Sequence, residues 1–211
     1  MMMKVTSDDV ARYFKDFTRT ALKDGGDSDR HLPVLFALAS ASRAKVIVEL
    51  GVRDGRTTFP LLLAAALNGG KLISVDKKRP AKFRCPPKLK KYWSFRKEDA
   101  LKFLRGWSPA KKIDFVYVDD WHAYKHVRQE LKFLDSRVGP SSLIVLHDLM
   151  RGRSEPFYHV DLTLKKGQWA EGGPYRAVAE LDPQFWEWAT LPWGNGLTLL
   201  RKKYSSKYHA S

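Results

Sequence analysis

The sequence predicts an α/β fold: a doubly wound sheet, mostly parallel, with a C-terminal antiparallel hairpin. Three observations predict it. Apolar strand-forming runs at 46–48, 113–118 and 142–146 alternate with segments of helical periodicity, as strand–helix–strand units require. Successive predicted strands end at Glu49 to Gly51, Asp76, Asp119 and His147-Asp148, and in a parallel sheet such ends share one rim, where ligands bind. Two short strand-like runs, 185–190 and 196–201, are joined across Pro192, Trp193, Gly194, Asn195 and Gly196, which fits a hairpin.

Length and composition bound the problem. The 211 residues fit a single domain over 1–211 with one sizeable core. Cys85 is the only cysteine, so the expectation is a reducing, cytoplasmic setting with no intrachain disulfide. The N-terminal residues are too polar for a signal peptide. Apolar runs at 34–41 and 59–67 fall well short of the roughly 20 residues that span a bilayer, so no membrane span is expected. The net charge of +15 is local, because residues 77–97 hold ten Lys or Arg and no acid, and 201–211 hold four. Such a stretch either recruits nucleic acid, an anionic substrate or an acidic surface, or is simply a solvated loop and tail.

Along the chain, Ser7 stands as an N-cap, with Asp8 and Asp9 in the first turn and Val10, Phe14, Phe17 and Ala21 on one helical face. Residues 24–30 read as a polar connector, and 32–43 as a second helix. Val46, Ile47 and Val48 suit a strand buried on both faces. It turns at Gly51 and Gly55, which can take positive φ and leave the backbone open to a ligand. Residues 59–67 form an apolar helix that tolerates Pro60 in its first turn, and the free amides there favour an anionic ligand group. The second strand, 71–75, ends at Asp76. Pro80, Pro86 and Pro87 then exclude a long helix before a third strand near 92–96. Asp99 caps a short helix through Leu101, Phe103 and Leu104. The fourth strand ends in Asp119, Asp120, Trp121 and His122, and Val127, Leu131 and Leu134 follow at helical spacing. The fifth, 142–146, leads to His147 and Asp148. Residues 151–173 lack periodicity and read as a substrate lid; a short helix follows over 175–181.

The spacing Glu49-x-Gly51-x-x-x-Gly55 is not a dinucleotide fingerprint, because Arg53 stands where a second glycine must let the backbone approach a pyrophosphate. It resembles the first motif of class I S-adenosylmethionine (SAM) methyltransferases, a Rossmann-like family. The segments 113–124 and 143–148 narrow the resemblance to the small-molecule O-methyltransferases, the catechol-type enzymes and methyltransferase family 24. The resemblance implies SAM as cofactor. Glu49, Gly51, Val52, Arg53, Gly55 and Thr57 would form the cofactor turn, Asp76 would accept both ribose hydroxyls, and Asp99 and Ala100 would flank adenine, with Asp119 at the same rim. In the catechol-type enzymes a divalent metal is held by an Asp after the fourth strand and an Asp-Asn pair after the fifth. Asp119 and Asp148 match the aspartates, implying Mg2+ or another divalent cation, but Leu149 stands at the Asn position. His147 or His122 could substitute, though imidazole favours transition metals over Mg2+.

Methyl transfer needs in-line attack on a sulfonium methyl and a base for a hydroxyl acceptor. Asp119, His122, His147 and Asp148 are the candidate catalytic residues, the histidines because an unperturbed imidazole has its pKa near neutrality. His122 and His126 stand at i, i+4, but no Glu follows His122, so a zincin-type site is not expected. The leading expectation is a SAM-dependent O-methyltransferase acting on a small molecule. The alternatives are methylation of RNA or another polyanion through 77–97, or SAM binding without catalysis. The sequence leaves the oligomeric state open.

Overall fold

The structure, a computed structural model, describes residues 5–23, 28–150, 165–167 and 169–203. Most of the expected lid, 151–164 and 168, therefore lies outside the described residues, as do 24–27 of the connector and 204–211 of the basic tail.

Seven strands form one sheet: β1 (Val46–Leu50), β2 (Lys71–Asp76), β3 (Trp93–Lys97), β4 (Phe115–Val118), β5 (Leu143–His147), β6 (Trp186–Leu191) and β7 (Leu197–Lys202). Their order is β3-β2-β1-β4-β5-β7-β6, with β1 to β5 parallel and β7 antiparallel to both β5 and β6. The doubly wound sheet and its terminal hairpin are thus as expected. The strand order reverses at β1 and β4, and the Gly51 turn and Asp119 emerge side by side at that crevice.

Helices cover both faces: α1 (Ser7–Ala21), α2 (Leu32–Ala41) and α3 (Thr58–Leu67) on one, α4 (Ala100–Gly106), α5 (Tyr124–Asp135) and α6 (Gly173–Ala179) on the other. β1 is apolar but for Glu49 because it is central and covered twice: Ile47 packs toward α3, and Val48 and Leu50 toward α5. Helix α3 is buried almost all round, which its run of leucines and alanines allows. Among the described residues no helix is long and apolar enough to cross a membrane.

Two local expectations shift. The N-cap of α1 is Thr6 rather than Ser7: Asp9 N–H donates to Thr6 Oγ1, and the Asp9 carboxylate accepts from Thr6 N–H, a capping box. The helix buries Asp9, Tyr13 and Phe17, while Phe14 is left exposed. An acid can face inward here because Lys88 Nζ lies 2.9 Å from its carboxylate; Thr6 and Lys88 hold its pKa down at about 2.

Candidate active site

The Gly51 turn is held from below and from the side. Glu49, fully buried, accepts hydrogen bonds from the hydroxyls of Thr57 (2.8 Å), Thr58 (2.8 Å) and Ser74 (2.6 Å). Burial pushes its carboxyl up to about 7 against those three donors, which favour the charged form. From the side, Asp76 Oδ2 accepts from Val52 N–H (2.9 Å) and Arg53 N–H (3.0 Å), and its Oδ1 from Lys78 N–H (2.8 Å). Gly51 has φ +86°, and a Cβ there would lie 2.2 Å from the Asp119 carbonyl oxygen, so only glycine lets β1 and β4 leave the sheet this close together.

A cleft of about 920 Å³ opens along the strand ends, ample for a nucleoside-sized ligand and a small partner. Of the residues expected at the cofactor, Gly51, Val52, Arg53, Thr57, Asp76, Ala100 and Asp119 line it. Three depart from expectation. Glu49 lies beneath the turn and positions it. Gly55 makes room for Phe83, since a Cβ would come within 2.5 Å of that side chain. Asp99 caps α4 through Lys102 N–H and pairs with Lys77 at 2.9 Å, leaving Glu98 on the cleft wall. Asp76 is also more occupied than expected. A carboxylate offers about four lone-pair sites, and three take backbone N–H groups, leaving room for about one ribose hydroxyl rather than two.

At the cleft floor the four expected catalytic side chains converge. His122 Nε2 lies 3.3 Å from Asp119 Oδ1 and 3.2 Å from Asp148 Oδ2. His147 Nδ1 lies 3.4 Å and 3.2 Å from the same two oxygens, from the buried side. Tyr117 hydroxyl donates to Asp119 Oδ2 at 3.0 Å. Burial would raise the Asp119 carboxyl, yet His122 and His147 hold it well below the usual carboxylate range. Burial would likewise lower His147, but Asp119 and Asp148 lift it to about 10. His147 lies behind the two carboxylates and does not line the cleft, so of the two candidate bases His122 is the one that faces it. Asp148 has φ +66°, a conformation Asp tolerates, and the loop before β7 clamps it there, through Asp148 N–H to Gly196 O (3.1 Å) and Met150 N–H to Asn195 O (2.7 Å).

Asp119, His122 and Asp148 each offer one ligand atom, all within 4.8 Å of one another. Leu149 is buried in the apolar core, so the third ligand expected from an Asn comes, if from this chain, from His122. An imidazole with two carboxylates fits a divalent transition metal better than Mg2+.

Among the lining residues that sequence reasoning did not assign to the site are Asp29, Glu98 and Asn195. Asp29, in the expected connector, reaches the cleft from a 3-10 turn at Asp29–His31, through an ion pair with Arg56 (2.6 Å). Trp169 belongs to the expected lid and stacks on His122.

Residues 48–149 match the family model described as a methyltransferase domain, family 24. No curated protein matched the sequence. Among solved structures, the chain is similar to the S-adenosylhomocysteine (SAH)-bound methyltransferase PaMTH1 of Podospora anserina (TM-score 0.60, 14% identity, 97% of this chain and 99% of that one). It is also similar to an O-methyltransferase of Bacillus cereus in complex with SAH (0.63, 14%, 94% and 92%). A third is the O-methyltransferase TomG of Streptomyces achromogenes in complex with SAM (0.59, 15%, 95% and 92%). At these identities the likeness is one of fold.

Proposed function

We infer, from the methyltransferase-domain match over 48–149 and the shared fold, that this chain is a class I methyltransferase that transfers a methyl group from SAM to a hydroxyl of a small acceptor. The observation that carries the reading is the convergence of Asp119, His122 and Asp148 on the cleft floor, next to the Gly51 turn. SAM supplies a methyl carbon on a sulfonium; the acceptor oxygen bonds to that carbon as the carbon–sulfur bond breaks, leaving SAH.

The chain's residues position and deprotonate. Gly51, Val52, Arg53, Thr57 and Ala100 wall the adenosyl end, with the remaining Asp76 acceptor site turned to a ribose hydroxyl. Asp119, His122 and Asp148 hold the acceptor hydroxyl and take up its proton. The same three fit a divalent cation, which when bound would lower the pKa of a hydroxyl on it. Within the basic stretch, three of the ten cations, Lys77, Lys82 and Lys88, pair with Asp99, Asp54 and Asp9. Cys85 is a free thiol, which supports a cytoplasmic reading, and we take 1–211 as one domain.

Calorimetry with SAH, followed by transfer of labelled methyl from SAM to a panel of hydroxylated small molecules, tests the proposal. SAH binding with transfer to a hydroxyl oxygen is expected. No SAH binding overturns it, and SAH binding without transfer to any acceptor moves the chain to the non-catalytic reading.

A further inference from the structure

A second cluster lies beside the first and is used by nothing above. Asp120 follows β4 and lines the cleft; His126 and Glu130 stand at i, i+4 on α5. His126 Nε2 lies 2.8 Å from Asp120 Oδ2 and 3.6 Å from Glu130 Oε1. One ligand atom from each residue falls within 4.8 Å of the other two.

The Glu130 carboxylate is what needs explaining. It is 0% exposed, and neither oxygen has a hydrogen-bond partner among the described residues; the same is true of Asp120 Oδ1. Leaving such a group unsatisfied is costly, and more so when it is charged. His126 alone cannot cover it. Its single Nε2–H is used by Asp120, and at 3.6 Å Glu130 is beyond hydrogen-bond reach. Burial and the neighbouring Asp120 push the Glu130 carboxyl well above the usual carboxylate range, so without an ion it keeps its proton, and a cation would take that proton's place.

We propose that Asp120, His126 and Glu130 form a second divalent-cation site, suited to a transition metal such as Zn2+. A doubly charged ion with a neutral imidazole balances both carboxylates. The spacing suits it, because bonds of about 2.0–2.2 Å in tetrahedral geometry put ligand atoms roughly 3.4 Å apart, between the two separations observed. The nitrogen and two oxygens favour Zn2+ or Mn2+ over Mg2+ and Ca2+. Because Asp120 directly follows Asp119, an ion there would pin the chain between the two clusters.

The test uses the full chain, stripped with chelator, reloaded with Zn2+ and desalted. Elemental analysis of His126→Gln and Glu130→Gln should show one equivalent fewer than wild type, and Asp119→Asn/Asp148→Asn should retain that equivalent. In the latter background Zn2+ should raise the Tm, and adding Glu130→Gln should weaken Zn2+ binding at least 100-fold. Circular dichroism and a cooperative melt establish that each variant folds; Gln preserves the shape of Glu, and His126→Gln reports independently should one variant fail. Unchanged stoichiometry in both single variants overturns the proposal. So does a metal-free Glu130→Gln that melts higher than wild type while Zn2+ leaves the Tm of Asp119→Asn/Asp148→Asn unmoved.

Discussion

The ring of His122 lies face to face with that of Trp169, with centroids 4.6 Å apart and planes 4° from parallel. His122 already touches Asp119 and Asp148, so the indole fixes the plane in which its Nε2 meets both carboxylates. Gly173, a few residues further on, packs so tightly that a Cβ would lie 2.9 Å from the His122 carbonyl oxygen. The end of the 151–173 segment is therefore built onto the reactive cluster.

Trp169→Ala should lower kcat/KM by roughly 2- to 10-fold, the value of an aromatic stack of about 0.5–1.5 kcal/mol, and Trp169→Phe should recover most of it. Steady-state kinetics on an identified acceptor checks this. Wild-type kinetics in the Ala variant would reduce the stack to packing.

Asp76 holds the turn and faces the cofactor space, so Asp76→Ala frees two turn amides as well as removing a ribose acceptor. SAH affinity should fall by roughly 10- to 100-fold, at about 1.5–3 kcal/mol for hydrogen bonds to a charged group. Asp76→Asn keeps one oxygen acceptor and should fall between the two. Calorimetry showing unchanged SAH affinity in the Ala variant would remove Asp76 from the cofactor site.

Glu49 gives a pH signature. Its folded pKa of about 7 lies above its ordinary 4.5, so the folded state holds the proton more tightly. Stability from this group is complete below about 4.5 and is lost as pH rises through 7, by an amount on the order of 3 kcal/mol at most. Glu49→Gln lacks this dependence. Urea unfolding of both proteins from pH 4.5 to 8 should show their stability difference moving against wild type and levelling off above 7. A flat difference would mean that the Thr57, Thr58 and Ser74 hydroxyls stabilise the carboxylate enough to cancel its burial.

What the sequence made legible follows the reach of its signals. Buried parallel strands carry their own pattern, and Asp76, Asp119 and Asp148 were identified because strand ends of such a sheet share a rim. Asp29 was not, since its place depends on Arg56, 27 positions away, with no local periodicity to announce it. The face of α1 was misphased because apolar counting cannot foresee a buried Asp9 satisfied by Lys88. His122 and His126 looked like an i, i+4 pair. Ala123 caps α5 between them, so His122 lies before the helix and each imidazole joins a different cluster.

Asp119 and Asp148 bear most directly on the chemistry. Both reach His122 and His147 at 3.2–3.4 Å, but only Asp119 also takes the Tyr117 hydroxyl, and Asp148 Oδ1 has no hydrogen-bond partner among the described residues. Asp148 thus keeps one buried oxygen uncommitted, while Asp119 is the more exposed of the two. Asp148→Asn should cut turnover by at least about 100-fold with SAH affinity changed by less than about 3-fold, the signature of an interaction made chiefly in the transition state. Asp119→Asn should lose similar turnover and also melt lower, because it removes one of the two carboxylates that the buried His147 faces. Chelation then separates two routes for the acceptor's proton. If turnover falls on metal removal and Mn2+ or Zn2+ restores it better than Mg2+, the carboxylates work through a bound ion. If it survives chelation unchanged, His122 and Asp148 take the proton themselves. Asp148→Asn turnover equal to wild type would sink both.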